Sequence, residues 1–125
     1  MTGYKINNLN NTEEQEIKDK LSILFDNFEV MVKKAKLVGV SKALHHLLPD
    51  LVPPIDRKYT LHFFYGNTNY SEKDQKEKFL AIFDKFRLIS KELDLTEKDL
   101  LGQWDTSIPK LIDNAIIGFV SDVKM

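Results

Sequence analysis

The chain has 125 residues, 42% of them hydrophobic and 30% charged, with no cysteine and a formal net charge of −1. That is the length and composition of one soluble domain, and it excludes collagen-like, disulfide-scaffold and disordered classes. Without cysteine there is no thiol nucleophile and no Cys-based zinc or iron–sulfur site, and the near-neutral total calls for neither nucleic acid nor a membrane surface.

Residues 1–11 are polar and Asn-rich and predict a flexible N-terminal arm ahead of a single helical domain over 12–125. Thr12 with Gln15 makes a capping box. Ile17, Leu21, Leu24, Phe25, Phe28, Met31, Val32 and Ala35 then fall at steps of three and four, the pattern of one helical face. Lys33, Lys34 and Lys36 suit a helix C-terminus, and Gly39 can supply its left-handed cap. The expectation is one long helix over 13–38, about 39 Å at ~1.5 Å per residue.

Ser41 is placed to cap a short helix, Lys42 to Leu48, stopped by Pro49. The stretch Leu48-Pro49-Asp50-Leu51-Val52-Pro53-Pro54-Ile55 is too proline-rich for helix or central strand. Asp56 then caps a helix over Arg57 to Tyr65, ended by Gly66. Ser71 and Asp74 open a helix over about 72–93 with Phe79, Ile82, Phe83, Phe86, Ile89 and Leu93 on one face. Thr96 and Asp99 begin a short helix ending at Gly102. Ser107, with Pro109 just inside the start, opens the last helix, which buries Leu111, Ile112, Ala115, Ile116, Phe119 and Val120. Tyr59 to Tyr65 is the one strand-like run, and the Asp56 cap decides it as helix. The fold expected is all-α, a compact single domain of five or six helices with a proline-rich corner between short helices.

Residues 33–58 hold Lys33, Lys34, Lys36, Lys42, Arg57 and Lys58 against Asp50 and Asp56, a local +4 within a chain of −1. If these elements pack together, an anion-attracting patch results. No glycine-rich phosphate cradle accompanies it: no Walker or dinucleotide fingerprint occurs, and no cofactor is implied. Adjacent His45 and His46 point to different sides of a helix, and no His-x-x-x-His pair exists, so no metal site is expected. Asp113 and Asn114 interrupt an apolar helix, either as a buried hydrogen-bonding pair or as a pocket wall. Trp104 reads as a core plug. The N-terminus has no run of signal-peptide length, and Asn114 to Ser121 falls far short of the ~20 residues needed to span a bilayer. A cytoplasmic protein without membrane contact is expected.

The segment Gly39 to Tyr59 resembles the core of helix–hairpin–helix DNA glycosylases. A glycine, a lysine soon after it and a proline-led approach to an aspartate at the next helix start carry that resemblance, and Pro49-Asp50-Leu51-Val52-Pro53 looks most like the 8-oxoguanine branch. The resemblance implies a hairpin at Gly39 that binds the DNA backbone, Lys42 as the amine nucleophile and Asp56 as the carboxylate that supports positive charge on the sugar. The expected site is therefore Lys42 and Asp56 for catalysis, with Lys33, Lys34, Lys36, Gly39, Arg57, Lys58, Tyr59 and Lys110 for an anion or nucleic acid. The other reading is a non-enzymatic helical interaction module, acting through the first helix or the phenylalanine face to form a homo-oligomer or hold a protein partner.

Overall fold

Phe79, Ile82, Phe83 and Phe86 lie at helical spacing, and all four are wholly buried. They run down α4 (Gln75–Glu92), the element around which the others assemble. The structure, a computed structural model, describes residues 3–27, 36–66, 74–100 and 106–124. Among these, α1 (Asn11–Asn27), α2 (Lys36–Leu47) and α5 (Ile108–Lys124) pack on α4. A five-residue π turn (Arg57–Leu61) runs into the short α3 (His62–Tyr65), which packs on α5. Two 3-10 turns, Ile6–Asn8 and Glu97–Asp99, complete an all-α fold with no strand among the described residues. Ile17, Leu21 and Phe25 of α1 and Leu37, Val40 and Leu44 of α2 supply the facing stripes, with Phe25 stacked on Phe79 at 5.3 Å between centroids. At ~1.5–3 kcal/mol for each fully buried large apolar side chain, this cluster is the main stabilising term.

The long helix expected over 13–38 is two helices. Lys36 Nζ lies 3.4 Å from the Asp26 carbonyl and 5.0 Å from the centre of the Phe25 ring. In a continuous helix their backbones would stand about 15 Å apart, beyond a lysine's reach. A contact distant in sequence holds the first described turn of α2: the buried Gln75 side chain accepts the Leu37 N–H at 2.7 Å. Gly39 is consequently inside α2 and is neither a left-handed cap nor a hairpin glycine; Gly66 is the one described glycine with positive φ. Ser41 is likewise within the helix and not its cap. Phe28, Met31, Val32, Lys33, Lys34 and Ala35 lie outside the described residues, as do Ser71, Gly102 and Trp104.

The N-terminal segment is docked rather than loose. Ile6 is 0% exposed and Leu9 is buried, because the Ile6 N–H donates to the Asp50 carbonyl at 2.9 Å and the Asn7 amide donates to the Leu95 carbonyl. The buried Arg87 guanidinium pairs with Glu14 at 3.1 Å and donates to the Leu9 carbonyl at 3.3 Å, tying this segment to α4. The capping box of α1 sits two residues earlier than Thr12 and Gln15. Asn10 Oδ1 accepts the Glu13 N–H, and Glu13 Oε1 accepts the Asn10 N–H.

Other local signals act as the sequence predicts. Asp56 Oδ1 accepts the N–H groups of Lys58 and Tyr59, and Gly66 ends α3 at φ 74°. Thr96 and Asp99 cap each other, and Ser107 Oγ accepts the Lys110 N–H. Asp74 precedes α4 but makes no side-chain cap. That helix ends with Asp94 in the left-handed region at φ 51°.

Candidate functional site

The proline corner is buried from Leu51 to Ile55. Burying irregular backbone requires every N–H and C=O to find a partner. Two prolines remove two donors. The Ile55 N–H donates to Ser41 Oγ at 3.0 Å, and the Val52 carbonyl accepts from His45 Nδ1 at 2.7 Å. A carbonyl has no proton to give, so His45 Nδ1 carries the hydrogen. Both partners stand on α2, so that helix fixes the corner and delivers Asp56 to a defined place.

There Asp56 meets α2 and α5 around a pocket of about 290 Å³, lined by Lys42, Pro54, Asp56, Tyr59, Lys110, Asp113 and Ile117. Four residues singled out from the sequence thus converge: Lys42, Asp56, Tyr59 and Lys110. The rest do not line it. Lys36 is engaged with the end of α1, Gly39 lies within α2, Arg57 and Lys58 are exposed outside the pocket, and the Lys58 ammonium sits 5.2 Å from the Tyr59 ring centre. Lys33 and Lys34 are among the residues not described.

The charge around the pocket is balanced. Lys42 Nζ lies 3.7 Å from Asp56 Oδ2, and Lys110 Nζ donates to Asp113 Oδ2 at 2.9 Å. Two ammonium groups therefore face two carboxylates, and the cationic excess of residues 33–58 is not concentrated here. An amine nucleophile works unprotonated, in a desolvated or cationic setting. The Lys42 side chain is 53% exposed beside a carboxylate, the opposite setting. Asp56 uses one oxygen as a cap and turns the other toward Lys42.

Asp113 is the residue the sequence left undecided. Its side chain is 5% exposed, and Oδ1 is buried with no hydrogen-bond partner while Oδ2 is held by Lys110. Burial pushes its carboxyl above the ordinary aspartate range; the Lys110 hydrogen bond and charge and the nearby His45 oppose the rise, and Asp56 adds to it. Burial likewise pushes the His45 imidazole below its ordinary range, with the Val52 carbonyl opposing and Lys110 adding to the fall. The spacing of 110, 113 and 117 puts all three on one face of α5. A lone acid three residues from a lysine in an apolar run is the signal that marks this position.

Among the described residues no group of three or more His, Asp or Glu side chains is arranged to hold a metal, and no helix is long and apolar enough to cross a membrane. No known protein family, curated protein or solved structure matches the chain.

Proposed function

We propose that this protein binds a small polar molecule in the pocket between α2, the proline corner and α5. The observation that carries the reading is Asp113, a buried carboxylate that borders the pocket and whose Oδ1 has no donor. An orphaned buried acceptor costs about 1–3 kcal/mol, and more when charged, so a ligand that supplies an N–H or ammonium there recovers that cost. Lys42, half in solvent at the same pocket, offers a cation to an anionic group on the ligand. The complementary ligand is therefore a zwitterion of amino-acid size, since 290 Å³ lies at the small end of ligand pockets. Asp56 and Lys110 hold the two contact groups in position, and the role is binding without catalysis by Lys42.

A nucleic-acid backbone at the same corner is the second reading. Arg57 and Lys58, both exposed beside Asp56, favour it. A chemical-shift titration separates the two. Glycine, β-alanine and γ-aminobutyrate form a series with one carboxylate and one ammonium at increasing spacing. The zwitterion reading predicts saturable shifts at Lys42 and Asp113 for at least one member, lost in Asp113→Asn, with weaker binding of propylamine and propionate. Salt-dependent binding of intact and abasic duplex DNA, lost in Lys42→Ala, with no response to the amino acids, would replace it by the nucleic-acid reading.

A further inference from the structure

The opposite face of α5 is built differently. Ala115 and Phe119 of α5, Phe63 of α3, Ile89 of α4 and Leu93 and Leu95 beyond its end border an apolar cleft of about 720 Å³. Its outer walls are wet: Leu93 is 66% and Phe119 56% exposed. Phe63 meets Phe119 edge to face at 5.4 Å, so the aromatic wall is already assembled. Side chains of this size left in water beside one another mark a surface that another molecule covers.

Three features choose the occupant. The lining runs along α5 from Leu111 to Phe119, about 12 Å of helix, which matches the ~10 Å between anchors seven residues apart on a partner helix. The openness of the walls disfavours a small apolar molecule, because one seated in the cleft leaves the outer faces of Leu93 and Phe119 in water, whereas a helix lying across it covers them. The charge then separates a foreign helix from a second copy. Asp99 lines the cleft, and the segment after α4 that carries it holds exposed Glu92, Asp94 and Glu97 against Lys91 and Lys98, with Glu97 paired to Lys5 at 3.3 Å; α5 brings no cation between Lys110 and Lys124. Two copies joined about a twofold axis set this acidic rim against itself. A helix with basic flanks meets it with opposite charge.

We infer that the cleft between α3, α4 and α5 receives an amphipathic helix of a partner protein, apolar on the face it buries and basic at its flanks. The site is separate from the pocket at Asp113, so either stands if the other fails.

The test uses the full chain and a fluorescein-labelled peptide of about four helical turns, with leucines at three- and four-residue spacing and lysines at both ends. Anisotropy is expected to saturate. Phe119→Ala should weaken binding about tenfold or more, as for an aromatic anchor, with an unchanged melting curve because that ring is half in solvent. A peptide with glutamates in place of the lysines should bind more weakly still. The inference is overturned by no binding of the lysine peptide, by equal binding of the two peptides, or by a concentration-dependent dimer in sedimentation that Phe119→Ala dissolves, which would assign the cleft to a second copy.

Discussion

Replacing Asp113 by Asn keeps the shape of the side chain and removes its charge. In the folded protein Oδ2 has a charge-assisted bond from Lys110 at 2.9 Å, and Oδ1 has nothing. Leaving a buried polar atom unpaired costs about 1–3 kcal/mol and more for a charged one, while a bond to a charged donor returns about 1.5–3 kcal/mol. The Lys110 side chain is 34% exposed, which screens the return toward its lower end. Burial outweighs Lys110, so the folded carboxyl titrates above its unfolded range. The stability contributed by the neutral form is then fully present below the unfolded value and lost as pH rises through the folded one. Asp113→Asn, which cannot ionise, escapes that loss. It should match the parent in acid, below the ordinary carboxylate range, and exceed it by about 1 kcal/mol near neutral pH, roughly 3–5 °C in melting temperature for a domain of this size. Urea unfolding followed by circular dichroism at a series of pH values reads the difference. A gap between the two proteins that does not change with pH, or one that turns against Asp113→Asn as pH rises, refutes the claim that burial dominates at this carboxylate.

His45 should act in the opposite sense. Its folded value lies below the ordinary 6.5, so the neutral ring's contribution is full above that pH and is lost as pH falls; His45→Gln should flatten this acid loss while costing about 1 kcal/mol at neutral pH through the Val52 carbonyl, as read by melts over the same pH series. Ile6→Ala should destabilise by about 2–4 kcal/mol in urea unfolding, because the side chain is wholly buried; a loss below about 0.5 kcal/mol would mean the N-terminal segment is undocked. Asp56→Ala should cost about 1 kcal/mol through two lost cap bonds, and Lys42→Ala less than about 0.5 kcal/mol, since the ion pair between them is long and largely solvated; equal losses would contradict the assignment of Asp56 as a cap.

Much of this architecture is legible in the chain because local chemistry decides it. Asp56, Thr96 and Ser107 cap their helices since each oxygen reaches N–H groups two or three residues ahead, and the phenylalanines of α4 announce their burial by spacing alone. The break after α1 is illegible for the converse reason. Gly39 reads as a terminator and Ser41 as a cap, yet both lie inside α2, whose Leu37 N–H is held by Gln75, thirty-eight residues on, and Ser41 turns to the proline corner. The docked N-terminus depends on Asp50, Leu95 and Arg87, none of them near in sequence. The pocket is intermediate. Lys42, Asp56, Tyr59 and Lys110 stand out by type, and the spacing of Lys110 and Asp113 already allows their pairing along one helix face, but that Lys42 meets Asp56, and that both pairs border one pocket, appears only in the packed fold. For the same reason a cationic excess counted along the chain does not become a cationic site.

The pocket and the cleft use two faces of one helix. Lys110, Asp113 and Ile117 of α5 look toward the proline corner, while Ala115, Ile116 and Phe119 look toward α3 and the end of α4. One helix therefore joins the proposed ligand pocket to the proposed helix-binding cleft, and titrating each probe in the presence of the other measures any coupling between them.

The carboxyl-carbon resonance of Asp113, followed by NMR against pH with and without the tightest binder among glycine, β-alanine and γ-aminobutyrate, tests the central claim most directly. An ammonium delivered to Oδ1 favours the ionised carboxylate, so the account predicts that the raised titration midpoint moves down toward the ordinary aspartate range when the pocket is saturated. A midpoint that stays in place under saturating ligand, or moves up, would contradict it.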